Sequence, residues 1–373
     1  MATLCLHPAF VLICRSFESL AWLTPGAAAA TPWATHCVEP AGQIERTTQI
    51  YIVNSHFTAN NATNYHSQQA VLPGLFDVGE CAGAHISSCT SVGILNSTFN
   101  DNIAIGLCLR DISGGPTTAL PLVPPLFDRD TIAGPYNVMV DDFLGNDVSV
   151  VAALDIRSTT FRGNTAASLA RLDSEPEQPV DPLAGGAGLD IIAVPYLILD
   201  SLMFEDNTGR QGSAIHFDTC TDMIIWNCVF NKNNTATNEG GAIATVNSHG
   251  KGILLGESKV TNSLALSGGA LYGDSGATIV VTNNTQLSNN TAVTNGGGVS
   301  CVGCQTLTLQ MGAAATANMA SEGGGACYCE GCTLFQLDHV QLSNYRCDSM
   351  HAQHVYIKSR CLFAAICMLL YVP

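Results

Sequence analysis

The residues best suited to chemistry are four cysteines, in the units Cys301-Val302-Gly303-Cys304 and Cys329-Glu330-Gly331-Cys332. Two Cys-x2-Cys units 28 residues apart suit a structural zinc site, which needs four thiolates on bonds of about 2.3 Å. They equally suit two disulfides between neighbouring repeat units, with Cys301 beside Cys329 and Cys304 beside Cys332, or free thiols. Cys220 with Cys228, and Cys81 with Cys89, are further pairing candidates. Sixteen cysteines among 373 residues are many for a reducing cytosol, which favours disulfides and an exported chain. Carboxylates for acid–base work stand at Asp141, Asp142, Asp155, Asp190, Asp200, Asp218 and Asp222. They are scattered, and no Arg/Lys pair in the sequence completes a site around them. A Gly-x-Ser-x-Gly elbow, which a serine hydrolase would need, is absent.

The elements that must position these residues come from a repeat. Gly212-Ser213-Ala214-Ile215, Gly240-Gly241-Ala242-Ile243, Gly268-Gly269-Ala270-Leu271, Gly296-Gly297-Gly298-Val299 and Gly324-Gly325-Ala326-Cys327 begin at intervals of 28. Val355 continues the aliphatic position, and Cys327 occupies it, which implies core packing for that thiol. A second column reads Ile225, Ile253, Val281, Leu309, Leu337, and a third Asn234, Asn262, Asn290, Asn318. Short runs with period-two alternation, such as Ile279-Val280-Val281, are broken by Gly and Asn, which accept positive φ. One unit of 28 residues therefore makes one coil of an all-β parallel β-solenoid. Successive coils stack about 4.8 Å apart, so each column becomes a ladder of like residues.

Upstream the period loosens, but a Phe-x-x-Asn element persists. It stands at Phe57–Asn60, Phe99–Asn102, Phe161–Asn164, Phe204–Asn207 and Phe230–Asn233, each after an extended stretch. Two Pro-containing insertions, 111–147 and 168–186, are expected to protrude from the wall. Inserts of this kind carry binding sites, so Tyr136, Asp141, Asp142 and Phe143 are the partner-binding candidates. The Gly, Phe and Asn motifs themselves are read as structural corners and ladders.

Fourteen Lys and Arg stand against 30 Asp and Glu, a net charge of −16, which argues against a nucleic-acid partner. Only 12% of residues are charged and 47% are hydrophobic, which suits a folded core rather than a disordered acidic chain. Asn-x-Ser/Thr sequons at Asn61, Asn96, Asn233, Asn283 and Asn289 are candidate glycosylation sites. Residues 1–36 resemble a leader segment, with an apolar run from Leu4 to Cys14 and a small-residue stretch from Ala27 to Ala30. Residues 37–360 form the solenoid. The apolar tail, 361–373, is short of the ~20 residues of a spanning helix and is an anchor signal, a last core strand or an artefact.

Phe230-Asn231-Lys232-Asn233 followed by Gly240-Gly241-Ala242-Ile243 and Gly268-Gly269-Ala270-Leu271 resembles the repeat of the chlamydial polymorphic outer-membrane proteins. The resemblance covers residues 50–345 and is strongest over 204–330. It implies a right-handed parallel β-helix at a cell surface with an adhesive role. The bacterial proteins carry a long C-terminal barrel, and this sequence ends about one coil after its last clear repeat. Right-handed β-helices also host pectate-lyase-like enzymes, and Asn247-Ser248-His249-Gly250-Lys251 is similar to a polygalacturonase loop. The accompanying Asn-Thr-Asp and Arg-Ile-Lys segments are absent. The sequence therefore predicts a secreted or cell-surface β-helix with a structural and adhesive role, no enzyme, needing no cofactor. Its expected partner is a surface protein or polysaccharide, and its membrane association would involve no spanning helix. The alternative is a carbohydrate-active lyase or hydrolase on the same fold.

Overall fold

The computed structural model describes residues 11–16, 19–22, 42–45, 49–60, 81–89, 91–113, 153–166, 185–248, 252–343, 346–347, 355–358 and 363–367. Among them there is no helix, and the chain winds as a parallel β-solenoid with coils of about 28 residues. One coil runs Tyr196–Asp200, Met203–Glu205, Thr208–Gly209 and Ile215–Asp218, and Asp222–Trp226 then begins the next. These four strands belong to four different sheets, of twelve, nine, six and ten strands. Each strand pairs in parallel with its counterpart one coil away, as Leu154–Arg157 does with both Ser91–Leu95 and Tyr196–Asp200.

Positive-φ corners make the winding possible. The chain leaves the twelve-stranded sheet at Asn96, Ser158, Ser201, Asn227 and Glu257, with φ between 47 and 58°. Short polar side chains tolerate this left-handed region better than most residues. The first Gly of each repeat lies there too, from φ 51° at Gly212 to 67° at Gly296. A Cβ at Gly240 would meet the Ile243 carbonyl oxygen at 2.3 Å, so the column is fixed by both backbone and space.

Inside, the ladders fill the core. Phe57, Phe99, Phe161, Phe204 and Phe230 stack with ring centroids 4.6, 5.1, 4.9 and 4.8 Å apart and planes within 8°. The column continues as Val260, Leu287, Ala315 and Leu342. The aliphatic column Ile215, Ile243, Leu271, Val299, Cys327, Val355 keeps its 28-residue register throughout. A buried amide ladder joins Asn60, Asn102, Asn164, Asn207 and Asn234, each Oδ1 accepting from the preceding Nδ2 at 2.8 to 3.1 Å.

Three column assignments need correction. Ile253 pairs with Met223 and Ile279, whereas Ile225 pairs with Leu255. Asn262 is exposed at φ 56°, and Ser263 takes its place in the ladder, its N–H donating to Asn290 Oδ1 at 3.0 Å. Asn233 is likewise an exposed corner at φ 60°, and Asn234 carries the rung.

The ends also pair. Val11–Ser16 runs antiparallel to Gln49–Val53, and Ser19–Trp22 folds back on it, so part of the leader-like segment extends the twelve-stranded sheet. Within the apolar tail, Phe363–Cys367 pairs in parallel with Leu334–Asp338, as a last strand of that sheet would.

Candidate functional site

The partner-binding candidates Tyr136, Asp141, Asp142 and Phe143 lie outside the described residues, as do His249, Lys251 and Asn61. Asn96, Asn233 and Asn289 are exposed. Asn283 is 3% exposed, so the folded wall has no room for a glycan on it.

The cysteines are arranged differently from the inter-coil expectation. Cys301 stands beside Cys329 in register, yet the disulfide is Cys329–Cys332, within one coil, with Cα atoms 6.2 Å apart. Cys301 and Cys304 are buried thiols. Among the described residues no group of three or more His, Cys, Asp or Glu side chains is arranged to hold a metal. Cys81 pairs with Cys108 rather than with Cys89, linking adjacent coils at a register shift. Cys220 and Cys228 are separate thiols. Burial pushes each of these two up to about 12, and Cys327 likewise, so none is a native nucleophile.

The carboxylates that look scattered in sequence are gathered by the winding. On the outward side of the twelve-stranded sheet, Arg157 and Asp200 are register neighbours, and Asp155 lies two residues before Arg157. Arg157 Nε donates to Asp155 Oδ1 at 2.9 Å, while Asp155 Oδ2 has no hydrogen-bond partner. Burial raises Asp155 to about 6 despite the opposing Arg157 charge, and burial raises Asp200 as well. Trp226 follows Asp200 in the same column, and its ring lies across Gly256, where any Cβ would collide with it.

A second cluster lies on the outward column of the ten-stranded sheet. Asp190 is fully buried, with its Oδ1 at 2.7 Å from His216 Nδ1 and its Oδ2 at 3.7 Å from Arg110. His216 Nε2 is buried and has no hydrogen-bond partner. This is the geometry of an oriented imidazole, and no hydroxyl or thiol meets Nε2 as a nucleophile would. Sequence reading missed both clusters because Asp190 and His216 are 26 residues apart, Arg157 and Asp200 43, and Arg110 and Asp190 80, so these partners meet only through coil stacking.

The nine-stranded sheet has a different character. Around its single inward column it presents two outward ones. One reads His56, Thr98, Thr160, Met203, Val229, Lys259, Gln286, Ala314, Gln341, and the other Thr58, Asn100, Arg162, Glu205, Asn231, Thr261, Ser288, Thr316, Ser343. Lys232 and Arg162 flank Glu205 at 2.8 and 3.9 Å. The result is a long wall on which Thr, Ser, Asn and Gln are mixed with the charged Arg162, Glu205 and Lys259 and the apolar Met203, Val229 and Ala314. Apolar exposure adjoins it on the six-stranded side, at Leu264, Leu266 and Val293, 40 to 53% exposed.

No family model, no curated protein and no solved structure matches the chain. No helix among the described residues is long and apolar enough to cross a membrane.

Proposed function

We propose that this solenoid is a structural and adhesive protein of the extracellular space or cell surface, of the polymorphic outer-membrane repeat type, whose long nine-stranded wall binds a protein or glycan partner. The observation that carries this reading is the nine-stranded wall, one outward row of which runs Asn231, Thr261, Ser288, Thr316 and Ser343 at the ~4.8 Å coil spacing. Such a row offers hydrogen-bond donors and acceptors at one repeat distance, which suits an extended polymer or a flat protein surface. The repeat columns are otherwise consumed by the core, and the net charge of −16 disfavours nucleic acid as the partner.

The test presents the purified chain to immobilised polysaccharides and to cell surfaces, and scores retention together with released sugar ends. Retention without product supports the adhesive reading. The Asp155–Arg157–Asp200 cluster favours a second reading, a carbohydrate-active enzyme, because it supplies two carboxylates with raised affinity for protons beside one cation. Product release that disappears in Asp155→Asn would establish this alternative instead.

A further inference from the structure

The column that holds Cys301 and Cys329 reads Thr245, Gly273, Cys301, Cys329 on successive coils. In two of these coils the residue three positions later turns back toward it across the corner. Thr245 Oγ1 donates to Ser248 Oγ at 2.9 Å, and Cys329 is joined to Cys332. Cys301 and Cys304 occupy the same two positions one coil earlier, in register with Cys329–Cys332. Where the column residue is Gly273, Cys304 Sγ reaches back to the Gly273 carbonyl at 3.3 Å. The corner therefore brings positions n and n+3 together both for the Thr245–Ser248 pair and for the Cys329–Cys332 pair, on either side of the Cys301 coil.

We propose that Cys301 and Cys304 close a second disulfide within their own coil, stacked in register on Cys329–Cys332, as a two-rung ladder facing the core. Pairing between coils is geometrically poorer. In-register neighbours on parallel strands keep their Cβ atoms near the ~4.8 Å strand spacing, whereas a disulfide wants about 3.8 Å. Among the described residues the disulfide between coils, Cys81–Cys108, lies at a register shift and joins residues that are not register partners.

The oxidation is a two-step exchange with a low-molecular-mass disulfide. One cysteine thiolate attacks the reagent and expels one thiolate. The second cysteine then attacks the mixed disulfide and expels the other. Two thiol protons end on the two released thiols, and two electrons pass to the reagent. All four sulfurs are at most 1% exposed, and burial with the Cys304 neighbour pushes the Cys301 thiol well up. Oxidation therefore precedes closure of these coils, and the finished bond is sealed from reductants. This inference is independent of the binding role, which stands or falls on retention.

The full chain is refolded with glutathione disulfide, or with reduced glutathione alone, then unfolded in acid, alkylated and cleaved after Glu322 to separate the two pairs. We expect the oxidised fragment with Cys301 and Cys304 to be unalkylated and two hydrogens lighter, with no link to the fragment holding Cys329. Alkylation of both cysteines after oxidative refolding would overturn the proposal, as would a link between the fragments or protection that needs added zinc. In a second arm, the oxidised chain should melt at higher temperature than one carrying Cys301→Ser and Cys304→Ser, and under reduction the gap should close. A gap that persists unchanged under full reduction would contradict it.

Discussion

Two asparagines with similar sequence surroundings have opposite roles. Asn290 is fully buried, accepts from the Ser263 N–H and donates to the Val260 carbonyl and to Asn318 Oδ1, each at 3.0 Å. Truncating it strands several buried groups, each costing about 1–3 kcal/mol. Asn262 is exposed at a corner with φ 56°. Asn290→Ala should therefore lower stability by about 3 kcal/mol, and Asn262→Gly should stay within about 0.5 kcal/mol of the parent in denaturant titrations. Asp155 gives a pH dependence. Its folded pKa of about 6 exceeds the ordinary 3.8, so the native state binds more protons between those values. Stability should fall as pH rises through that window, by about 3 kcal/mol, and be level above it. Melting curves of Asp155→Asn should lack this slope. The buried thiols Cys220, Cys228 and Cys327, raised to about 12, should resist alkylation at pH 8 until the chain unfolds. Labelling of the native chain would show that these coils open.

At the scale of the element, each strand is too short to hold alone, and its stability comes from the rung above and below. Phe161 lies between Phe99 and Phe204 with no exposed surface, so Phe161→Ala should cost about 3–5 kcal/mol and unfold neighbouring coils together. A loss confined to a few tenths of a kcal/mol would argue against a continuous ladder. The Gly column was legible in sequence because positive φ and the close Ile243-type carbonyl admit few substitutes, and the Phe column only from Phe57 to Phe230, since aliphatic residues from Val260 onward fill the same core position. The Ile253 and Asn262 rungs were not. Coil separations there run 30 at Ile225↔Leu255, 29 at Thr235↔Leu264 and 28 at Glu239↔Ser267. Extra residues before Gly252 are thus cancelled by shorter corners after it. The two Gly motifs remain 28 apart, and the slip between them is hidden. Asp155 and Asp200 were illegible as neighbours for a related reason, since an insertion separates strands that stack directly.

For the whole molecule, the winding sorts residues by side. Inward columns are spent on packing, and the outward rows of the nine-stranded sheet are the surface that the proposed binding role assigns to a partner. Asn231 and Thr316 belong to one such row, at intermediate exposure, and neither supports the core. The most direct measurement is retention of the chain carrying Asn231→Arg and Thr316→Arg on the surface that holds the parent, with its melting temperature recorded alongside. The binding-wall account predicts at least a tenfold loss of retention, ~1.4 kcal/mol, with melting unchanged. Undiminished retention by the well-folded variant would contradict it and move the binding site off this wall.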